Sequence, residues 1–251
     1  PELRDLWAYY EAGFHSLAAA SVFERFGKEG MKTALGLLGT GQMALTKCLV
    51  LVGADVDARD AGAVLGAIRD HFDPAEDFLL LPGVPFDTLD FTSFTLNLGS
   101  KMVLDATPNG QAPARRPVPL DEAQVKALHP RIRRARLVEE ALLAVQVEGT
   151  GREVVETLVR AAPLAAVKLI AAVSPDVDLA DRESLLWGIF TRFDPARDVV
   201  FTAVELRGAW PVCRGRLGID ATFKSGYPEP IVMDPQTVKR VTARWPQYWT
   251  A

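Results

Sequence analysis

From Lys47 to Asp77 the chain reads KCLVLVGADVDARDAGAVLGAIRDHFDPAED, and from Lys168 to Asp198 it reads KLIAAVSPDVDLADRESLLWGIFTRFDPARD. The two stretches align without a gap at an offset of 121 residues, and 13 of the 35 aligned positions from Thr46 to Leu80 are identical. A gap-free match of this length indicates an internal repeat rather than chance. The chain therefore contains two copies of one structural unit.

Each copy carries the same order of secondary-structure signals. Short runs rich in Val, Leu and Ile (LTKCLVLV and AAVKLIAAV) predict strands that are buried on both faces. The helical spacing of apolar residues in DAGAVLGAIRDHF and DRESLLWGIFTRF predicts a helix after each strand. FDPA ends each helix, because proline disfavours the α conformation at the residue before it, and DFLLL and DVVFTAV predict the next strands. Each copy therefore contains a β-α-β unit, which favours the α/β class.

The correspondence extends to both sides of these stretches. Upstream, FHSLAAASVF and RLVEEALLAVQV predict strands, and KEGMKTALGLLGTGQMAL and TGREVVETLVRAAPLA predict helices. Downstream, both copies carry the motif DAT, at Asp105–Thr107 and Asp220–Thr222. The proline-rich TPNGQAPARRPVPLDEA predicts a linker between them. We therefore predict two tandem units, residues 1–119 and 120–251, with the boundary near Pro119.

Three carboxylates, Asp55, Asp57 and Asp60, follow the first predicted strand. They could form a metal site, a pair of catalytic acids or a helix cap. A calcium loop of the EF-hand type also needs a turn glycine and a distal glutamate, which this stretch lacks. Capping fits better, with Asp57 accepting from free N–H groups of the helix, Asp60 in the first turn and Asp55 shaping the turn. The equivalent residues of the second copy are Asp176, Asp178 and Asp181.

The composition argues against several classes of protein. The net charge of −4 disfavours a nucleic-acid binder. The basic run HPRIRRAR (His129–Arg136) is interpreted as a solvated face, with a nucleic-acid patch as the alternative. No apolar run approaches the ~20 residues that span a bilayer, and no signal peptide is recognisable. Cys48 and Cys213 make no disulfide framework, so we expect a cytoplasmic protein. Because the chain starts at Pro1 without Met, we expect a fragment or a processed chain.

Few residues of the sequence offer catalytic chemistry. The three histidines do not stand at ligand spacing to one another or to a cysteine, so no protein zinc site is predicted. His15 is interpreted as a structural histidine, with a role in a site as the alternative. P-loop, G-x-S-x-G and strand-linked G-x-G-x-x-G motifs do not occur. Lys47 stands at the start of a buried strand, where a charge is costly without solvent or a partner. It either extends to solvent or binds a phosphate.

Several motifs, in the same order, resemble the C-terminal domain of UbiD-type decarboxylases. They are FHSLAAASVFERFGKEGMKTALGLLGTGQMALTKCLVLVGADVDARD, FDPAED and LGSKMVLDAT, while GTGQMALTKC and the closing IVMDP resemble the menaquinone-type branch. The resemblance runs from Leu17 to Thr107 and, more loosely, from about Leu164 to the C-terminus. It implies non-oxidative decarboxylation of aromatic or α,β-unsaturated acids, with prenylated flavin mononucleotide (FMN) and a divalent metal as cofactors of the full-length enzyme.

The resemblance also implies which parts of the site lie elsewhere. In the family, a catalytic arginine, two acidic residues and the metal-binding residues belong to an upstream barrel domain, and no such stretch occurs in this sequence. We therefore expect no catalytic residue, no metal ligand and no complete cofactor site in this chain. Lys47 of TKC matches the family lysine that reaches the cofactor, and it is the one predicted cofactor-binding residue.

Two functions remain open at this point. The first is the C-terminal region of a carboxy-lyase for a 4-hydroxybenzoate or naphthoate quinone precursor. It would help to close the cofactor site and to assemble subunits, with the upstream flavin-binding domain as partner and a homo-oligomer as the assembly. The second is a non-catalytic tandem α/β module for self-association or partner binding, because no catalytic set is complete and the motif repeats. Neither function predicts a nucleic-acid partner or a membrane span.

Overall fold

The computed structural model describes residues 2–108, 121–229 and 231–249. The first unit contains β1 (Glu2–Ala8), β2 (Leu17–Phe23), α1 (Gly30–Leu38), β3 (Cys48–Gly53), α2 (Ala61–His71), α3 (Pro74–Asp77), β4 (Phe78–Pro85) and β5 (Leu98–Ala106). The second contains α4 (Glu122–Lys126), β6 (Ile132–Val138), β7 (Leu142–Val147), α5 (Arg152–Leu158), β8 (Leu169–Val173), α6 (Arg182–Phe190), α7 (Pro195–Asp198), β9 (Val199–Arg207), β10 (Trp210–Ala221) and α8 (Pro235–Arg244). Short 3-10 helices span Tyr10–Ala12, Gly41–Leu45, Ala162–Leu164 and Trp245–Tyr248.

Each unit forms one five-stranded mixed sheet. The strand orders are β1-β2-β3-β5-β4 and β6-β7-β8-β10-β9. In both sheets the three central strands are parallel, and each edge strand runs antiparallel to its neighbour. The matching order confirms two tandem units of the α/β class. The predicted boundary near Pro119 lies outside the described residues and stays a prediction.

The two units share one hydrophobic core. β3 and β8 are buried along their whole length, as their uninterrupted apolar runs predict. Alternate side chains of β3 face opposite ways: Val50 and Val52 join the core that both units share, whereas Leu49 and Leu51 join the core beside α1. Helices α2 and α6 contribute to the shared core, and α5 covers the other face of the second sheet. Burying apolar area in this shared core holds the units together.

The strand order corrects the predicted β-α-β unit. β4 follows α2 in the chain, but β5 lies between β3 and β4, and β4 runs antiparallel to β5. The adjacent parallel pair joined by a single helix is β2-α1-β3, with β7-α5-β8 as its counterpart. RLVEEALLAVQV is also more than one strand. It ends β6, turns at Glu139 and Glu140, which both have positive φ, and continues as β7.

The N-cap of α2 is Asp60 and not Asp57. Oδ1 of Asp60 accepts from the N–H groups of Gly62 (2.9 Å) and Ala63 (3.3 Å), which is the N-cap arrangement and contributes about 1 kcal/mol. Asp57 accepts from the Arg59 N–H at 2.9 Å and shapes the turn before the helix. The prediction placed the helix start too early, because the turn itself occupies the residues before Asp60.

The second copy repeats this corrected assignment. Asp181 caps α6 by accepting from the Ser184 N–H at 2.7 Å, and Asp178 accepts from the Ala180 N–H at 2.8 Å. Asp176 also forms a two-bond ion pair with Arg192, at 2.9 and 2.6 Å. This hydrogen-bonded guanidinium lowers the pKa of Asp176.

The two FDPA corners lie where the units meet. Asp73 is extended before Pro74, as expected, but the proline then begins the short helix α3, which Asp73 caps. The same holds for Asp194 and α7. α3 contacts β10 of the second unit, and α7 contacts β4 and β5 of the first. Each corner therefore brings its preceding phenylalanine, Phe72 or Phe193, close to the other unit.

Candidate functional site

Lys47 lies immediately before β3, and its side chain is completely buried. Its backbone N–H donates to the His15 carbonyl (2.7 Å), and its carbonyl accepts from the Met102 N–H (2.8 Å), so the pairing of the sheet continues through it. The side chain points inward, and Nζ lies 2.7 Å from Oδ2 of Asp90. The interpretation of Lys47 as a residue that extends to solvent is therefore wrong.

Two aromatic rings complete the surroundings of the Lys47 ammonium. The ring centroid of Phe193 lies 5.1 Å from Nζ, and that of Phe86 lies 5.9 Å away. A cation within about 6 Å of a ring centroid is attracted by the ring face. Phe193 belongs to the second unit, so the ammonium lies at the interface between units. One carboxylate and two rings thus offset the cost of burying this charge.

The loop 86–97 between β4 and β5 supplies the carboxylates of the site. Oδ1 of Asp90 accepts from the backbone N–H and the hydroxyl of Thr92, at 2.9 and 2.5 Å. Oδ1 of Asp87 accepts from the Leu89 N–H at 3.0 Å. These contacts of an Asp side chain to the backbone two residues on are Asx turns. They leave Oδ2 of each aspartate for a contact with the body of the unit.

His15 takes the second of these contacts. Its Nδ1 lies 2.5 Å from Oδ2 of Asp87. An ionised Asp87 can only accept, which assigns the N–H to Nδ1 and leaves Nε2 of the neutral ring as an acceptor. Nε2 has no hydrogen-bond partner among the described residues. The His15 side chain is 29% exposed and that of Asp87 is 14% exposed, so the pair is held in place yet reachable.

A cleft of about 190 Å³ opens beside these two pairs. Its lining residues come from both units, and they include His15, Asp87, Asp90 and Phe91 from the first and Trp187 and Thr191 from the second. The sequence indicates His15 and Lys47 as candidate site residues, but it does not predict that they lie close together. The structure brings them to one place, because Asp87 and Asp90 stand three residues apart on the same loop.

The second copy does not reproduce this site. Lys168, the counterpart of Lys47, donates to the Phe72 carbonyl of the first unit at 2.8 Å, and burial lowers its pKa. β9 and β10 are joined by only residues 208 and 209, where β4 and β5 are joined by the long loop 86–97. The second copy therefore has no carboxylate in the position of Asp90, and Lys168 links the units instead.

Both DAT motifs are buried. The aspartate of each motif and a second buried aspartate form ion pairs with one lysine. In the first unit, Lys28 forms ion pairs with Asp77 and Asp105. The equivalent network of the second unit consists of Lys224, Asp198 and Asp220. The two lysines come from different loops, so only the carboxylates follow the repeat. In the sequence, DAT indicates the repeat, but it does not indicate that its aspartate forms a buried ion pair with a lysine.

The basic run His129–Arg136 carries its own counter-charges. Arg133 lies 2.7 Å from Glu148, and Arg134 lies 2.8 Å from Glu122. Local carboxylates therefore neutralise these guanidinium groups, as in a solvated face of mixed charge. A surface that binds the phosphate backbone of a nucleic acid needs unneutralised cations.

The described residues assign no thiolate or metal site. Cys48 and Cys213 are buried, and burial raises the pKa of the Cys48 thiol to about 12 and also raises that of Cys213. A thiol needs a lowered pKa to act as a nucleophile near neutral pH. Within 2–108, 121–229 and 231–249, no three His, Cys, Asp or Glu side chains are grouped so as to hold a metal ion. No helix in these ranges has the length and apolar character needed to cross a membrane.

One known protein family matches both units of the chain. A family model described as the 3-octaprenyl-4-hydroxybenzoate carboxy-lyase C-terminal domain matches residues 1–106 and 120–221. Because the match covers most of the chain, the chain belongs to the UbiD C-terminal domain family. This confirms the family that the ordered motifs predicted.

Two chlamydial relatives match nearly the whole chain. A protein of Chlamydia pneumoniae, named as one of the subunits of a 4-hydroxybenzoate decarboxylase, is 31% identical over 255 residues, which cover 99% of this chain and 42% of the relative. An uncharacterized protein of Chlamydia caviae is 31% identical over 251 residues with the same coverage. The chain thus spans 42% of the length of these relatives.

Solved structures of decarboxylases are similar to part of the chain. The vanillic acid decarboxylase of Sedimentibacter hydroxybenzoicus in its open form is 26% identical, with a TM-score of 0.41 over 48% of this chain and 26% of that chain. The UbiD-class enzyme HmfF from Pelotomaculum thermopropionicum, in complex with FMN, is 16% identical, with a TM-score of 0.36 over 66% and 45%.

Proposed function

We propose that this chain is the C-terminal region of a UbiD-type carboxy-lyase and that Lys47 contacts the phosphate of its flavin cofactor. The buried pair of Lys47 and Asp90 carries this proposal. The ammonium is already removed from water, and one carboxylate on a loop holds it at 2.7 Å. Phosphate oxygens offer the same charge-assisted hydrogen bond as a carboxylate. A cofactor phosphate can therefore take the place of Asp90 without a new desolvation of the lysine.

The described residues do not form a whole flavin site. The cleft beside Lys47 holds about 190 Å³, whereas sites for whole cofactors enclose about 300–1,000 Å³. The described residues also hold no group of metal ligands. We infer that prenylated FMN and its divalent metal are bound mainly by an upstream flavin-binding domain. This chain would close that site from one side and would be inactive alone.

The substrate class and the compartment follow from the same proposal. A relative that matches 99% of this chain is named as part of a 4-hydroxybenzoate decarboxylase. We therefore propose a hydroxylated aromatic acid as substrate, such as a 4-hydroxybenzoate or naphthoate precursor of ubiquinone or menaquinone. The free, buried thiols of Cys48 and Cys213 suit a reducing compartment, so we place the protein in the cytoplasm.

The test compares the 251-residue chain with the whole protein, including whatever precedes residue 1. We expect the whole protein to retain a flavin absorbance spectrum after purification and to release CO₂ from 4-hydroxybenzoate. We expect the chain alone to do neither, because it lacks the larger part of the cofactor site. A whole protein that binds no flavin, or a chain that decarboxylates alone, would contradict the proposal.

A second candidate function is self-association through α8. Val238, Val241 and Trp245 lie on one face of this helical segment and are exposed, while Lys239 and Arg240 lie on the opposite face. An exposed apolar stripe opposite a charged face is typical of a helix that packs against another surface. We propose that the protein forms a homo-oligomer in which α8 contacts a neighbouring copy. The same contact would hold the subunits together if the protein is part of an enzyme.

Sedimentation of two matched variants tests this assembly. Val241→Asp places a charge on the apolar face and is expected to shift the chain to the monomer mass. Arg240→Asp introduces the same acid on the opposite face and is expected to leave the oligomer intact. A monomeric wild-type chain, or equal dissociation by both variants, would rule out assembly through this face.

A further inference from the structure

We propose that the cleft between the units binds a hydroxylated aromatic ring with the hydroxyl group innermost, and that Trp187 of the second unit forms its wall. This inference rests on the proposed function, since it gives the place and the orientation of the ring of the substrate. It also gives the second unit a role in a site that the first unit cannot complete alone.

The walls of the cleft suit a flat ring. Trp187 is 51% exposed although it belongs to α6, from which Leu185, Leu186 and Ile189 join the shared core. Its Cζ3 atom lies 3.7 Å from the position that a Cβ would take at Gly13, which has a positive φ of 74°. Gly13 therefore lies beside one edge of the indole, and Phe91 lines the cleft as well. Aromatic side chains bind rings by offset stacking or edge-to-face contact.

The size of the cleft suits one ring. An engineered apolar cavity of about 150 Å³ is enough to bind benzene. The cleft holds about 190 Å³, which leaves space for one or two substituents on the ring. A larger ligand such as a flavin ring system exceeds this volume.

The polar groups of the cleft decide the orientation of the ring. Asp87 accepts the N–H of His15 Nδ1 at 2.5 Å, so in the neutral tautomer of the ring Nε2 is the acceptor. A phenolic hydroxyl can donate to this nitrogen. A carboxylate at the same depth would lie close to the Asp87 carboxylate, and like charges repel. The hydroxyl group therefore enters first, and a carboxylate on the opposite side of the ring lies at the mouth of the cleft.

Comparison of the two copies shows why the repeat produces this cleft once and not twice. At the offset of 121, the counterparts of Trp187 and Thr191 in α2 are Gly66 and Asp70, so the first unit presents no indole to the second. The second unit also lacks the loop that carries Asp87 and Asp90 in the first. Divergence of the two copies has thus left the acceptor on one unit and the ring wall on the other.

Titration of the isotope-labelled 251-residue chain with 4-hydroxybenzoate tests the inference, with the backbone amide signals of Gly13, His15 and Thr191, which line the cleft, followed by NMR. We expect saturable binding, and about tenfold weaker binding after Trp187→Ala, since the stacked wall is lost. Trp187→Phe keeps a ring and is expected to retain most of the affinity. Trp210→Ala is the matched control, because Trp210 is similarly exposed (49%) but lies on the β9–β10 hairpin. It should bind like the wild type.

Benzoate tests the orientation. The wild-type chain is expected to prefer 4-hydroxybenzoate over benzoate, and His15→Phe is expected to abolish this preference while keeping a ring of similar size. The inference is overturned by a wild-type chain that binds neither acid saturably, by equal binding in Trp187→Ala, or by an equal loss in Trp210→Ala. Ring binding by a protein that retains no flavin would refute the proposed function alone. Flavin-dependent decarboxylation with unchanged ring binding in Trp187→Ala would refute this inference alone.

Discussion

Replacing Asp90 with alanine is expected to lower the free energy of unfolding by about 3–5 kcal/mol, the usual cost of breaking a buried ion pair from one side. The Lys47 ammonium is completely buried, and Asp90 is its carboxylate partner. The substitution leaves that charge without compensation and also removes the acceptor for Thr92. Urea denaturation of the 251-residue chain at neutral pH measures the change.

Asp87→Ala is the matched control on the same loop. It removes a carboxylate of similar local geometry, but its partner His15 is partly exposed to solvent. We therefore expect a loss of only about 1 kcal/mol, the typical net contribution of one hydrogen bond. Equal losses from Asp87→Ala and Asp90→Ala would show that the burial of Lys47 is not what makes Asp90 important.

The double variant Lys47→Met/Asp90→Ala separates stability from cofactor binding. Removing both charges is expected to recover most of the lost stability, because an apolar replacement of a buried pair is often neutral. In the whole protein, the same variant is expected to bind flavin more weakly, since no ammonium is left for the phosphate. Unchanged flavin affinity in this folded variant would remove Lys47 from the cofactor site.

The repeat made much of the fold predictable. Strands that are buried on both faces lack polar alternation, and amphipathic helices follow them, so β3, α2, β8 and α6 could be placed from local signals alone. The neighbours of each strand could not be placed in this way. The insertion of β5 between β3 and β4 depends on which edges meet in three dimensions, and no local pattern encodes that.

The candidate site was less predictable than the fold. Lys47 was recognisable as a buried charge that needs a partner, but Asp90 lies 43 residues away on a loop. The stretch DTLDFT (Asp87–Thr92) does carry the Asp and Thr pattern of consecutive Asx turns, so an ordered loop could have been inferred there. The contribution of Trp187 had no such signal, because it depends on how the second unit packs against the first.

Lys28→Met is expected to lower the free energy of unfolding by about 2–3 kcal/mol at neutral pH. The ammonium of Lys28 is paired with Asp77 and Asp105, whose side chains are almost fully buried. Its own side chain is 41% exposed, so solvent screening reduces the loss below the ~3–5 kcal/mol of a fully buried pair. Lys32→Met is the control, since Lys32 lies exposed on α1. It should change stability by less than about 0.5 kcal/mol.

This loss of stability should shrink as the pH falls. Burial raises the pKa of Asp77, and the Lys28 ammonium opposes that shift. A carboxyl group whose pKa is raised on folding favours the folded state most at a pH below its unfolded value of about 3.9, and this advantage disappears as the pH rises through the folded value. Without Lys28 the folded pKa rises further, so the variant gains more from acidification than the wild type does. Urea denaturation at about pH 4.5 and pH 7 measures the difference, and an equal loss at both values would show that Lys28 does not act through these carboxylates.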